Sequence, residues 1–193
     1  MSSPSPRIFS RRGFTLAALA GVGMTAAACN GNGIGTQGAS VIDARVDATL
    51  KEMYRLYPNT QPLAEQASGV LVMPLMTEAG LWLGGAYGRG ALRVNDITVD
   101  YYSATKASAG LQIGAQQYAH VLFFMTEQAL RDFRSSAGWS VGADMEYVVA
   151  DTAGSLGTDS NRLTKPILAA VFGQAGLRIG ATLDGTKYTR IIP

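Results

Sequence analysis

The chain has 193 residues and a mass of 20.3 kDa, with 47% hydrophobic and only 16% charged side chains. That length fits one ordinary domain, and so little charge beside so many apolar residues argues against intrinsic disorder. The net charge of +2 comes from 16 basic and 14 acidic residues, and three of the basic ones (Arg7, Arg11, Arg12) lie in the first dozen positions. The remainder is not basic, which removes the electrostatic footprint of a nucleic-acid binder. One cysteine excludes a disulfide framework or a thiolate metal cluster, and one histidine excludes a site built on two imidazoles.

The first fourteen residues carry positive charge only, and Phe14 to Ala28 (FTLAALAGVGMTAAA) is apolar or small. A basic segment, a short apolar segment and a small-residue cleavage site form a secretory signal; the apolar run is too short to span a bilayer as a helix. Ser10-Arg11-Arg12-Gly13-Phe14-Thr15-Leu16 looks like a twin-arginine export signal, and Ala26-Ala27-Ala28-Cys29 like a lipobox. The expectation is a signal peptide over 1–28, acylation of Cys29, and a flexible tether over 29–39. Acyl chains contribute about 0.8 kcal/mol per buried CH2, so two or three together anchor a protein stably. Asn30 is not the aspartate associated with retention at an inner membrane, which points to an outer membrane facing the periplasm.

From Ser40 to Tyr57, apolar residues recur at Ile42, Val46, Leu50, Met53 and Tyr57, the spacing of one helical face. Ser40 and Asp43 suit an N-terminal cap, and Pro58 a stop. A short helix over Pro62–Ala67, capped by Thr60, is expected next. After Gly69 the texture becomes β-branched and aromatic with interspersed glycine, predicting strands near 70–75, 81–87, 91–94, 98–103, 111–116 and 118–125. Asn95-Asp96 predicts a hairpin turn. Thr126 caps a predicted helix over 127–134, and strands are expected again over 139–150, 167–172, 177–183 and 186–191, with Asp184-Gly185 turning the last pair and a loop over 155–165. Consecutive short strands with few helices predict an α+β fold: a curled or barrel-like antiparallel sheet with N-terminal amphipathic helices packed on it.

The chemistry-bearing motifs are sparse. Gly138-Trp139-Ser140-Val141-Gly142 has the spacing of a hydrolase nucleophile elbow, but the single histidine, His120, precedes it, and a serine without a downstream base is not activated in that way. His120 lies in an apolar strand, the usual setting of a hydrogen-bonded core histidine. Gly84 to Gly90 (GGAYGRG) lacks the order and the terminal Lys-Thr of a phosphate loop and reads as glycines at a strand bend. Arg89 and Arg93 can present guanidinium to a phosphate headgroup. No catalytic residues, metal ligands or cofactor are expected.

Ser68-Gly69-Val70-Leu71-Val72-Met73-Pro74, Gly84 to Arg93, Tyr101-Tyr102-Ser103, Gly110 to Gln116, Phe123-Phe124-Met125, Gly138-Trp139 and Gly185-Thr186-Lys187 follow one another in a telling order. The chain from about Val41 onward resembles the SYLF domain, found in a yeast actin-patch protein, in animal phosphoinositide-binding adaptors and in bacterial exported proteins. The resemblance implies a non-enzymatic lipid-binding domain with an N-terminal amphipathic helix, and carries membrane contact to Arg45, Lys51 and Arg55. Many members have lysine where this chain has Ser68, which removes one headgroup contact. The expected function is a lipid-anchored envelope protein, its domain spanning 40–193, that binds phospholipid or another amphipathic ligand. The alternative is a structural module whose partner is an envelope protein. Actin is not expected as a partner of an exported chain.

Overall fold

The computed structural model describes residues 38–80, 83–109, 114–140, 145–147, 165–173, 176–177, 183 and 185–193. The expected leader, Cys29 and most of the tether lie outside the described residues, as do most of the 155–165 loop and the middle of the strand expected over 177–183.

The first helix, α1, runs Gly38–Leu56, so Gly38 and Ala39 at the end of the expected tether are helical and Ser40 sits in the first turn rather than at the cap. Its buried residues are Ile42, Val46, Leu50 and Met53, the stripe that the spacing predicts. Helix α2 is Thr60–Gln66. Asn59, not Thr60, occupies its N-cap position, and the Thr60 hydroxyl donates back to the Tyr57 carbonyl at 2.7 Å. Four long strands follow: β1 (Gly69–Gly80), β2 (Leu83–Val94), β3 (Ile97–Ala109) and β4 (Gly114–Phe124). Helix α3 (Glu127–Ser135) begins where Thr126 accepts a hydrogen bond from the Ala129 amide at 3.2 Å, as the capping pattern predicts. The short strands are β5 (Trp139–Ser140), β6 (Met145–Tyr147), β7 (Ile167–Gly173), β8 (Gly176–Leu177) and β9 (Lys187–Ile191).

The nine strands among the described residues join one sheet in the order β5-β9-β3-β2-β1-β4-β7-β6, with β8 also paired to β7. The fold is therefore α+β, a curled sheet in which, among the described residues, every pairing is antiparallel except β6 with β7. The curl has a covalent witness. Ser140 ends β5 at one end of the sheet and Met145 opens β6 at the other, and five residues of chain span at most ~18 Å. Of the strand expected over 139–150, residues 139–140 and 145–147 are strand, and the others lie outside the described residues.

The central strands are covered on both sides, which explains runs such as Val70-Leu71-Val72-Met73 and Ile167 to Phe172 that are apolar without alternation. On one face, the α1 stripe and Leu63 of α2 pack on Val70, Val72, Val121, Phe123, Leu168 and Phe172. On the other, Leu71, Met73, Leu92, Leu122, Phe124 and Tyr188 surround Leu130 and Phe133 of α3.

Pro74 organises the middle of the sheet. It cannot donate to a ladder, and the register of β1 slips across it against both neighbours, between Val72 and Leu75 toward β2 and between Met73 and Met76 toward β4. The bulge presses into β2, where only glycine fits. A Cβ on Gly88 would lie 2.5 Å from the Leu75 carbonyl oxygen, and one on Gly90 would collide with the Val72 carbonyl oxygen. The glycines therefore do not break the strand, and the two strands expected over 81–87 and 91–94 are one. Gly90→Ala is expected to cost about 1–3 kcal/mol through overpacking, read as a lower urea midpoint at unchanged m-value.

The β2–β3 connection is the two-residue turn read from the sequence: Asn95 and Asp96 have φ of 49° and 62°, the left-handed pair of a type I′ hairpin. Gly185, at φ 72°, serves the turn that the Thr186 amide closes by donating to the Leu183 carbonyl at 2.9 Å.

Candidate functional site

The expected lipid contacts fall into different environments. Arg45, Lys51 and Arg55 are exposed on α1. Lys51 and Arg55 are neighbours one turn apart, and Arg45 lies about 120° around the helix from Lys51. Arg55 is bidentate to Glu52, at 2.8 and 2.7 Å, and this hydrogen bonding lowers the Glu52 pKa and raises that of Arg55. Both side chains are solvated, so the pair positions the guanidinium without adding measurable stability. Arg89 is exposed on β2.

Arg93 differs from the rest. Its side chain is 14% exposed and bonds Asp47 of α1 at 2.6 Å, tying the helix to β2. Asp43, one turn earlier, accepts from the Thr98 hydroxyl at 2.9 Å and the Tyr101 hydroxyl at 2.8 Å. Asp43 thus braces α1 against β3 instead of closing a cap with Ser40. Burial, followed by the Asp43 hydrogen bond and charge, pushes Tyr101 up to about 12. In an Asp43→Asn chain the Tyr101 pKa is expected to fall back toward the ordinary phenol value, measurable by ultraviolet titration.

A cavity of about 420 Å³ opens between α1, α2 and the β2–β3 turn. Leu50, Val70 and Ala67 give it an apolar floor, and Tyr54, Glu65, Arg93 and Asp96 supply polar walls. Tyr54 is half-buried, and its pKa is raised first by burial and then by the charges of Asp96 and Glu65, with Arg93 opposing. Sequence reading missed this site because its groups come from four separate segments. The local signals were Arg93, read as a headgroup contact, and Asn95-Asp96, read only as a turn. A second cavity of about 310 Å³, on another side of α1, is lined by Thr49, Pro74, Tyr118 and Phe172 among others.

The nucleophile-elbow residues do not form a hydrolytic pair. Ser140 is exposed on β5, where it pairs with Lys187. His120 is fully buried, and its Nε2 shares a 2.7 Å hydrogen bond with the Tyr188 hydroxyl. Burial, with a smaller contribution from Lys106, pushes the imidazole pKa down to about 3, which keeps it neutral. Among the described residues, no three His, Cys, Asp or Glu side chains gather to hold a metal ion. No described helix is long and apolar enough to cross a membrane.

The protein-family profile described as Ysc84, Las17-binding protein actin regulator, matches residues 105–190, from late β3 to the end region of β9. No curated protein matches the chain. That stretch includes β4, α3, β7 and most of β9, which hold the aromatic core on one face and half of the α1 docking surface on the other. Residues 105–190 thus match the Ysc84 family, the SYLF domain that the order of sequence motifs resembles.

Proposed function

We propose that this protein is an exported lipoprotein, acylated at Cys29, whose SYLF domain binds phospholipid without performing a chemical step. The leader pattern supports the anchor, and the match of residues 105–190 to the SYLF family supports a binding module. The observation that carries the reading is the posture of α1. Its apolar stripe is spent on the sheet, so Arg45, Lys51 and Arg55 remain in water on a rigid, braced helix. Contact with a bilayer then runs through charge rather than insertion, each basic residue near an anionic surface contributing about 1 kcal/mol.

The test is flotation of the full chain carrying Cys29→Ser, which removes the acyl group, with vesicles of phosphatidylglycerol and phosphatidylcholine. Co-flotation at low salt is expected to fall with rising salt, and at least tenfold in the Arg45→Glu, Lys51→Glu double variant. Equal flotation of that variant, or none by the parent, refutes the lipid reading. For the anchor, labelled palmitate is expected to enter the wild-type chain in producing cells and not the Cys29→Ser chain.

A further inference from the structure

We propose that the cavity between α1, α2 and the β2–β3 turn is a headgroup site for a zwitterion that carries both an ammonium and a phosphate, of the phosphoethanolamine class. This deepens the lipid-binding reading and rests on it.

The lining groups select by charge. Arg93 brings a guanidinium that is mostly buried, with one donor on Asp47 and its Nε–H lacking any acceptor among the described residues. Across the same cavity stand the carboxylates of Glu65 and Asp96, with the Tyr54 phenol between α1 and the turn. Glu65 accepts one hydrogen bond, from Gln61 at 3.1 Å, which leaves most of its acceptor capacity open. A purely anionic ligand entering here meets two carboxylates, and a purely cationic one meets Arg93. A ligand bearing both signs pairs each wall and leaves no charge uncompensated in a half-enclosed space. The ammonium lies toward Glu65 and Asp96, where the Tyr54 ring adds cation–π attraction, and the phosphate takes the Arg93 donors that Asp47 leaves over. About 420 Å³ is within the range of small-molecule sites and accommodates a headgroup with its glycerol. The hairpin holds the acidic wall in place, because Asp96 sits at φ 62° in the left-handed geometry of the I′ turn and its carboxylate is presented by rigid backbone.

The experiment is titration calorimetry on the full-length Cys29→Ser chain with water-soluble glycerophosphoethanolamine, glycerol 3-phosphate and ethanolamine. Glycerophosphoethanolamine is expected to bind one to one, and each half-ligand at least tenfold more weakly. Glu65→Gln and Asp96→Asn remove one negative charge each from exposed positions, and asparagine tolerates the left-handed turn. Both are expected to weaken glycerophosphoethanolamine at least tenfold while leaving the circular dichroism spectrum unchanged. Glycerol 3-phosphate binding as tightly as the zwitterion, or folded variants that bind as well as the parent, overturns the proposal. Vesicles separate the sources. Flotation with phosphatidylglycerol vesicles together with silent calorimetry sinks the cavity proposal and leaves the lipid reading standing. Calorimetric binding without flotation on either phosphatidylethanolamine or phosphatidylglycerol vesicles keeps the cavity as a site for the free molecule and sinks the lipid reading.

Discussion

Phe133→Ala is expected to destabilise the domain by about 3–5 kcal/mol, the range for truncating a fully buried aromatic residue. Phe133 is the point where α3 enters the sheet. Its ring centroid lies 4.7 Å from Tyr102, 4.8 Å from Phe124, 5.4 Å from Trp139 and 6.1 Å from Tyr188. Those four neighbours come from β3, β4, β5 and β9, so one side chain joins the three strands at one end of the sheet to β4, beyond β2 and β1. None of the four can collapse into the void without giving up its own packing, which places the cost toward the upper part of the range. Urea unfolding followed by circular dichroism measures the loss, and a cost under about 1 kcal/mol would contradict this account of the core. Phe133→Leu, which retains most of the volume, is expected to recover more than half of the stability.

The second large effect is acid sensitivity through His120. Its imidazole titrates near 3 in the folded protein and near 6.5 in an unfolded chain. Between those values the unfolded state binds the extra proton, so stability falls as the pH drops from about 6.5 toward about 3. The slope from this one group approaches ~1.4 kcal/mol per pH unit, a loss of several kcal/mol across the window. Carboxylates also titrate in the lower part of that range, so the diagnostic quantity is a difference between chains. His120→Gln cannot charge, and its stability is expected to decline less steeply than wild type between about pH 6 and pH 4.5, although it begins lower at neutral pH through imperfect replacement of the Tyr188 hydrogen bond. Parallel slopes would show that His120 does not govern the acid limb.

Local signals were legible wherever the physics is local. The spacing of Ile42, Val46, Leu50 and Met53, the Thr126 cap and the Asn95-Asp96 turn each depend on a few neighbouring residues, and each has its counterpart in the fold. The misread elements all depend on distant partners. Gly88 and Gly90 look like strand breakers until the Pro74 bulge is laid against them from β1. Asp43 looks like a capping residue until β3 delivers Thr98 and Tyr101 to it. The strand signal after Trp139 says nothing of its partners, which are β9 for Trp139–Ser140 and β7 for Met145–Tyr147. Of the site, the exposed basic residues of α1 followed from helical geometry and the family resemblance, whereas Arg93 became a brace only through Asp47. The cavity could not be seen, because Tyr54, Glu65 and Asp96 meet only when α1, α2 and the hairpin turn are brought together.

A sheet that curls this far also limits what neighbours can recruit from it. Only four residues of chain separate the end of β5 from the start of β6, which holds the two margins of the sheet within reach of each other. Open backbone donors and acceptors along a long, flat margin are what let one β protein template another into fibrils. Margins drawn together by curling give this domain a built-in resistance to self-polymerisation.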